Sequence, residues 1–438
     1  MRPYSLSLWE RAGVRAKINQ MSAEAEIRRR IRERGPITFA EFMELALFWP
    51  QGGYYLQQEP IGPSGDYYTS PLAHPAFGTL LAVQLFQMWQ LMGRPEPFTV
   101  VEMGAGNGLL CRDIVAYVNQ VGAQHAVPPL SEFHKSLRYV CIDRRVSSGA
   151  ERHLPQDGQG PLVDRLAAPG LPLRKVWGCF LSNEFLDAFP VHQVMMRQGR
   201  LREVYITQED EHLAETLGEP STLALAARLE TLGIKLAEGQ IAEINLGLDN
   251  WAEEVAEALE AGFVLTIDYG HPAHELYSAE RRPRGALTTY YHHVQTDAPL
   301  QRIGRQDLTA QVDFTSVINA GRKAGLNPLG FILQRQLLDN LGLSGFQQRL
   351  TSLGLSPREI QANRAGMLDL ARPDGLGNFK ALAQGKNVGQ SRLWGFNPAP
   401  ETAALVEQLP VPLLTRQHLS LLEGRYPQME YGFEVIVS

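Results

Sequence analysis

The chain has 438 residues, 44% hydrophobic and 20% charged, and its 41 basic against 47 acidic side chains leave a formal charge of −6. That length allows two or three domains and a core that needs neither disulfides nor a structural metal. The acidic balance and the lack of any apolar run of about eighteen residues argue against nucleic-acid binding and against a membrane span.

Residues 1–21 read as a leader outside the fold. Arg2, Arg11, Arg15 and Lys17 face only Glu10 there, so an organelle-import segment is one reading. Met21 as the native start is the other, because a helical pattern begins just after it. Residues 22–95 form an N-terminal helical segment. In 22–34 Glu and Arg alternate at i,i+4 spacing, the mark of a solvated helix face, and Gly35-Pro36 ends it. Thr38 caps a second helix carrying Phe39, Phe42, Met43 and Leu45. Residues 50–71, rich in Gly, Pro, Tyr and Ser, read as a loop able to cover a site, and a long apolar helix follows over 75–92.

The centre alternates strand and helix. Phe98–Met103, Leu137–Ile142, Val176–Leu181 and Phe263–Ile267 are short β-rich runs, and helical patterns between them imply crossovers and a mostly parallel α/β sheet. Residues 96–190 and 262–385 are taken as one domain. Residues 191–261 are an insertion between the fourth and fifth strands, over the sheet's carboxyl edge. The insertion holds a hairpin over 191–206, turning at Gln198-Gly199, and helices near 222–232 and 249–261. Later come a strand near 286–291, helices at 313–324 and 333–341, and a strand at 379–384. Residues 386–438 are an extension ending in the strand-like Phe433–Val437. Cys111, Cys141 and Cys179 show no C-x-x-C spacing and sit in apolar stretches. They are expected to be reduced core residues of a reducing compartment, the cytoplasm rather than the mitochondrion.

The chemistry concentrates at strand ends. Glu102-Met103-Gly104-Ala105-Gly106-Asn107-Gly108 follows a strand and opens a helix. Missing side chains at Gly104, Gly106 and Gly108 allow a ligand to approach the backbone, and the helix presents free N–H groups. The spacing is G-x-G-x-G, not the G-x-G-x-x-G of dinucleotide sites. An acid beside the loop disfavours a diphosphate and suits an ammonium or sulfonium. A nicotinamide cofactor stays the alternative on the loop alone. Asp143 ends the next strand, where a carboxylate can accept both ribose hydroxyls; the Pro128-Pro129 stretch reads as a loop lengthening that connection.

Asn183, Glu184 and Asp187 follow the buried strand at 176–181, at the crevice where open α/β sheets bind substrates. Three positions apart on a helical turn, Glu184 and Asp187 both face one pocket, and two carboxylates suit a guanidinium. Asp268 and Tyr269 end the fifth strand on the same edge and are set on the substrate side with Asp66. Thr69 and Ser70 of the covering loop are set against the cofactor. Asp313 is expected to cap the helix it precedes. His271 and His274, and His292-His293, lack further ligands at metal spacing, so no metal site is expected.

At these residues the chain resembles the MidA family, the mitochondrial complex I assembly-factor methyltransferases and their bacterial relatives. The likeness runs through Gly35–Met43, Gly53-Tyr54-Tyr55, Gly65–Pro71, Phe77-Gly78, Glu102–Gly108, Asn183–Pro190, Ile267–Gly270 and Asp307–Phe314, in order from about 33 to 385. It implies a class I methyltransferase fold, S-adenosyl-L-methionine as cofactor and transfer to an arginine of a partner protein. Leu72, Gln311 and Thr288 depart from the family's usual acid, His and Arg, which bears on substrate rather than cofactor. A small-molecule acceptor and a non-catalytic assembly role remain open, and a homodimer is allowed.

Overall fold

The computed structural model describes residues 21–57, 68–124, 128–145, 161–291 and 294–418. The leader up to residue 20, Asp66, His292, His293 and Phe433–Val437 lie outside the described residues.

Seven strands form the central sheet: β1 (Phe98–Met103), β2 (Leu137–Asp143), β3 (Leu162–Ala167), β4 (Val176–Asn183), β5 (Leu259–Asp268), β6 (Asn327–Leu333) and β7 (Lys380–Lys386). Their order is β3-β2-β1-β4-β5-β7-β6. Strands β1 to β5 pair in parallel, and β7 runs antiparallel to both β5 and β6. The order reverses between β1 and β4, which opens a crevice at their carboxyl ends. This is the expected α/β architecture, with the insertion leaving after β4 and returning at β5.

Both faces of the sheet are covered, so its central strands are apolar on both sides. Val100, Tyr139 and Cys179 pack against the helices Ala76–Leu91 and Leu109–Gln124. Val101, Val140 and Phe180 pack against Gly247–Ala258 and Phe314–Lys323. Asp313 caps the last of these, its Oδ1 accepting the N–H groups of Thr315 at 3.0 Å and Ser316 at 3.2 Å. Thr38 caps Phe39–Phe48 through Glu41 N–H in the same way.

The hairpin turns where expected, between His192–Arg197 and Arg200–Glu209, with Gln198 and Gly199 at φ 52° and 69°, the left-handed pair a two-residue turn requires. Its sheet recruits the N-terminal segment: Ile37 and Thr38 pair with Ile206 and Tyr205. Ile27, Phe39, Phe42, Val191, Ile206 and Leu308 share one core. The N-terminal helices and the insertion are thus one cap, whereas Ala76–Leu91 belongs to the main sheet.

The sequence reading omits several elements. β3 and β6 carry no clear alternation: β3 holds Asp164 and Arg165, and β6 begins Asn327-Pro328 and contains Gly330. Pro128–Ser136 is a helix, not a loop, since proline is tolerated in a first helical turn where its missing N–H has no partner. Residues 386–418 are not peripheral, because Leu393, Phe396, Val406 and Leu409 join the main core. Among the described residues no helix is long and apolar enough to cross a membrane.

Candidate active site

β1 delivers the chain into a turn with Gly104, Gly106 and Gly108 at φ 71°, 51° and 74°, a region closed to most side chains. Gly104 and Ala105 donate their N–H groups to the Ile142 carbonyl at the end of β2. Asp143 Oδ2 accepts the Gly106 N–H at 2.9 Å. Asn107 Oδ1 caps the following helix through Leu109 N–H at 3.0 Å. The turn is therefore rigid before any ligand arrives. Beside it lies a cavity of about 380 Å³, bordered by Met103, Gly104, Gly106, Asp143, Arg145 and Glu184. Phe48, Tyr55, Phe185, Phe189, Leu171 and Trp251 supply apolar walls. Its size and make-up, apolar with few polar groups, suit a nucleoside-sized ligand.

The donor set fits S-adenosyl-L-methionine. A Cβ at Gly104 would meet Phe185 Cδ2 at 2.6 Å, so the approach to the backbone exists only with glycine there. Arg145 Nη1 lines the cavity region and is buried without a hydrogen-bond partner, a donor left for a ligand oxygen. Removing the loop's anchor should be costly: Asp143→Ala is expected to weaken S-adenosylhomocysteine binding roughly 10-fold or more, the value of one charge-assisted hydrogen bond. Calorimetric titration checks this; unchanged affinity would remove Asp143 from the site.

Glu184 stands directly after β4 at φ 51°, an unusual conformation for a long side chain and a form of strain that collects at functional sites. Its N–H donates to the Ile267 carbonyl at 2.9 Å. Its Oε1 accepts from Asn183 Nδ2 at 3.0 Å and, weakly, from Ser70 N–H at 3.4 Å. Burial, followed by the negative charge of Asp187, pushes the Glu184 carboxyl up to about 8. Burial lifts Asp187 to about 6, against the Tyr269 hydroxyl that donates to its Oδ2. Asp268 is pushed up by burial and by both neighbouring acids. No described Lys, Arg or His forms an ion pair with any of the three, so the cluster is a buried acidic pocket awaiting a cation.

Several expected placements need correction. Glu184 and Asp187 do not share a helical face: Glu184 precedes a short 3-10 turn, Leu186–Ala188, and only Glu184 borders the cavity. Asp268 does not face substrate. It is fully buried and accepts the N–H groups of Phe185 at 3.0 Å, Leu186 at 2.9 Å and Tyr269 at 2.9 Å, holding the Glu184 turn. Tyr269 is spent on Asp187 and packs its ring 5.5 Å from Phe379.

Glu102 points to the other side of β1, where Tyr139 donates to it at 2.8 Å and burial pushes its carboxyl up to about 7. Cys111 and Cys141 adjoin it, their ligand atoms within 4.8 Å of one another. A hydrogen bond to Cys111 and burial push the Cys141 thiol far up, and Tyr139 already engages Glu102. Gly108 admits Arg165, whose Nη2 a Cβ would meet at 2.1 Å. Thr69 and Ser70 are buried behind Glu184 rather than bordering the cavity, with Ser70 Oγ donating to Gln334 at 3.1 Å. Arg145 and Trp251 escaped the sequence reading: one follows Asp143 by two positions, but nothing local marks the other.

A strand-ordered sheet with its cavity at the glycine turn, an anchoring Asp after the second strand and an acid after the fourth defines a nucleoside-binding α/β enzyme. The family model described as "Putative S-adenosyl-L-methionine-dependent methyltransferase" matches residues 80–332, and the chain belongs to that family. It is an S-adenosyl-L-methionine-dependent methyltransferase, and the resemblance to the MidA family is borne out. A COG1565 superfamily structure from Burkholderia thailandensis bound to S-adenosyl-homocysteine is 26% identical. It covers 86% of this chain and 94% of that one with a TM-score of 0.73. "Protein arginine methyltransferase NDUFAF7 homolog, mitochondrial" of Drosophila melanogaster is 28% identical, covering 85% of this chain and 86% of its own. The human "Protein arginine methyltransferase NDUFAF7, mitochondrial" is also 28% identical, over 81% of each. These names correct the cytoplasmic placement expected from reduced cysteines: the curated relatives are labelled mitochondrial. Buried thiols report packing, not compartment.

Proposed function

We propose that the protein methylates a guanidinium nitrogen of arginine on a partner protein. The observation that carries this reading is the buried acidic pocket of Glu184 and Asp187, backed by Asp268, at the edge of the cofactor cavity and without a paired cation among the described residues. The names of the NDUFAF7 relatives support it. Gly104, Gly106, Asp143 and Arg145 would hold the cofactor, which supplies a methyl carbon on a sulfonium with a neutral thioether as leaving group.

Glu184 neutralises the incoming guanidinium and turns one nitrogen toward the cavity, while Asn183 steadies Glu184. Alignment in a water-poor site dominates over acid–base work. The proton shed by the methylated guanidinium passes to the Glu184 carboxylate, which a carboxyl lifted to about 8 is suited to accept. In this reading the N-terminal cap and the insertion over 191–261 form the substrate side, and 96–190 with 262–385 the catalytic domain.

The test is tritiated S-adenosyl-L-methionine with purified protein and a protein extract depleted of the enzyme. Label recovered as methylarginine after hydrolysis is expected. Label that passes a small-pore filter, or cofactor binding with no labelled protein, overturns the reading.

A further inference from the structure

The helix Gly247–Ala258 carries four acids, Asp249, Glu253, Glu254 and Glu257. Asp249 pairs with Arg228, Glu253 with Lys323 at 4.0 Å and Glu257 with Arg174 at 3.6 Å. Glu254 has no hydrogen bond or ion pair among the described residues, and of the four it is the one that borders the cofactor cavity. Helical periodicity explains the placement. Gly247, Asn250, Trp251 and Glu254 follow i, i+3, i+4, i+7 spacing, which puts them on one face, and all four border the cavity. Leu248, Ala252 and Val255 pack into the core of the sheet and anchor the helix. Facing it is the loop after β3: residues 168–171 border the same cavity, and a Cβ on Gly170 would stand 3.4 Å from Glu254 Oε2. The Ala168 N–H donates to the Asp143 carbonyl at 2.9 Å, which ties this loop to the end of β2.

The strand order sets how a nucleoside lies here. The glycine turn ends β1, Asp143 ends β2 and residues 168–171 follow β3, side by side along one edge of the sheet. Two strand spacings, about 10 Å, separate the first from the last. With the methionine part over the glycine turn and the ribose on Asp143, the base extends to the loop after β3, between that loop and the helix face. Pro169, Leu171 and Trp251 offer apolar walls to a purine ring there. The loop itself, Ala168-Pro169-Gly170-Leu171, contains no acid, so a side-chain acceptor for the base has to come from the helix. We propose that Glu254 is a specificity-determining residue, its carboxylate accepting the 6-amino group of the cofactor's adenine. The assignment concerns the base of the cofactor and holds whatever molecule receives the methyl group.

The experiment titrates the full chain calorimetrically with three ligands: S-adenosylhomocysteine, its analogue with unsubstituted purine in place of adenine, and 5′-methylthioadenosine. The wild-type chain is expected to bind S-adenosylhomocysteine about tenfold tighter than the purine analogue, because a site built to accept an N–H rejects a ligand that lacks it. Glu254→Ala should abolish that preference, weakening S-adenosylhomocysteine and 5′-methylthioadenosine by the same factor and leaving the purine analogue unchanged. Glu254→Gln keeps an oxygen acceptor and should restore part of the preference. Glu254 is exposed on its helix and alanine favours helix, so the variant should fold, which an unchanged melting temperature verifies. Glu253→Ala, at the neighbouring acid that does not border the cavity, should alter none of the three affinities. Equal wild-type affinity for S-adenosylhomocysteine and the purine analogue overturns the assignment, as does a preference that survives Glu254→Ala. A loss seen with S-adenosylhomocysteine but not with 5′-methylthioadenosine overturns it too, because Glu254 would then hold the ammonium of the amino-acid part.

Discussion

Glu184→Gln is expected to lower methyl transfer about 10²–10³-fold, the effect of losing one preorganised charge at a reacting centre, while S-adenosylhomocysteine still binds. The amide keeps the shape and the bond from Asn183 but brings no charge to a guanidinium. The pH dependence carries the sign. The carboxyl sits at about 8 in the folded chain, so it is protonated below that pH and activity should rise as pH passes through 8. The variant should lose that rising limb. Stability runs the other way. A carboxyl raised above its unfolded value of 4.5 holds its proton longer in the folded state, so stability falls as pH climbs from about 4.5 to 8. Glu184→Gln removes that loss and should melt higher than the wild-type chain at pH 8.5, with little difference at pH 4.5. Calorimetric melts at both values, with initial rates across pH 6–9, measure this. A variant that loses stability at pH 8.5, or keeps wild-type rates, takes Glu184 out of the acceptor site.

Gly104→Ala is expected to abolish measurable cofactor binding, a loss of at least about 100-fold. Two costs add. At φ 71° an alanine is strained, by roughly 1–3 kcal/mol. Its Cβ would also stand 2.6 Å from Phe185 Cδ2, and Phe185 cannot withdraw freely because its N–H is held by Asp268 at 3.0 Å. Either the turn or the Glu184 segment must shift, and both border the cavity. Gly199→Ala is the control: φ is 69° but nothing lies within 4 Å of the added carbon, so it should cost only strain and leave binding intact. Titration with S-adenosylhomocysteine on both variants separates the effects. Equal, near-wild-type affinities would show that the ligand does not use the glycine turn.

The site was legible in part. Gly104, Gly106, Asp143 and Glu184 stand at or just beyond the carboxyl ends of β1, β2 and β4, and all four border the cavity. Parallel strands with crossovers put those ends on one edge, so the inference needs only the strand pattern. Glu102 shows where this stops. It adjoins Met103, which borders the cavity, but successive side chains on a strand point to opposite faces, and no local signal says which face the cavity takes. Asp268 shows the same limit at longer range. A strand-end acid reads as substrate-facing until Phe185 and Leu186, eighty-odd residues earlier, claim its oxygens.

Local chemistry was therefore enough for the sheet's central strands, the glycine turn, the helix caps and the acid after β4, because each depends on backbone preference or on neighbours close in the chain. Folding alone decided which acids line the cleft and which brace it, and how the N-terminal helices joined the insertion as one cap. Those outcomes follow from side-chain parity and from strand pairing between distant segments, where burial and charge are settled by partners far away in sequence.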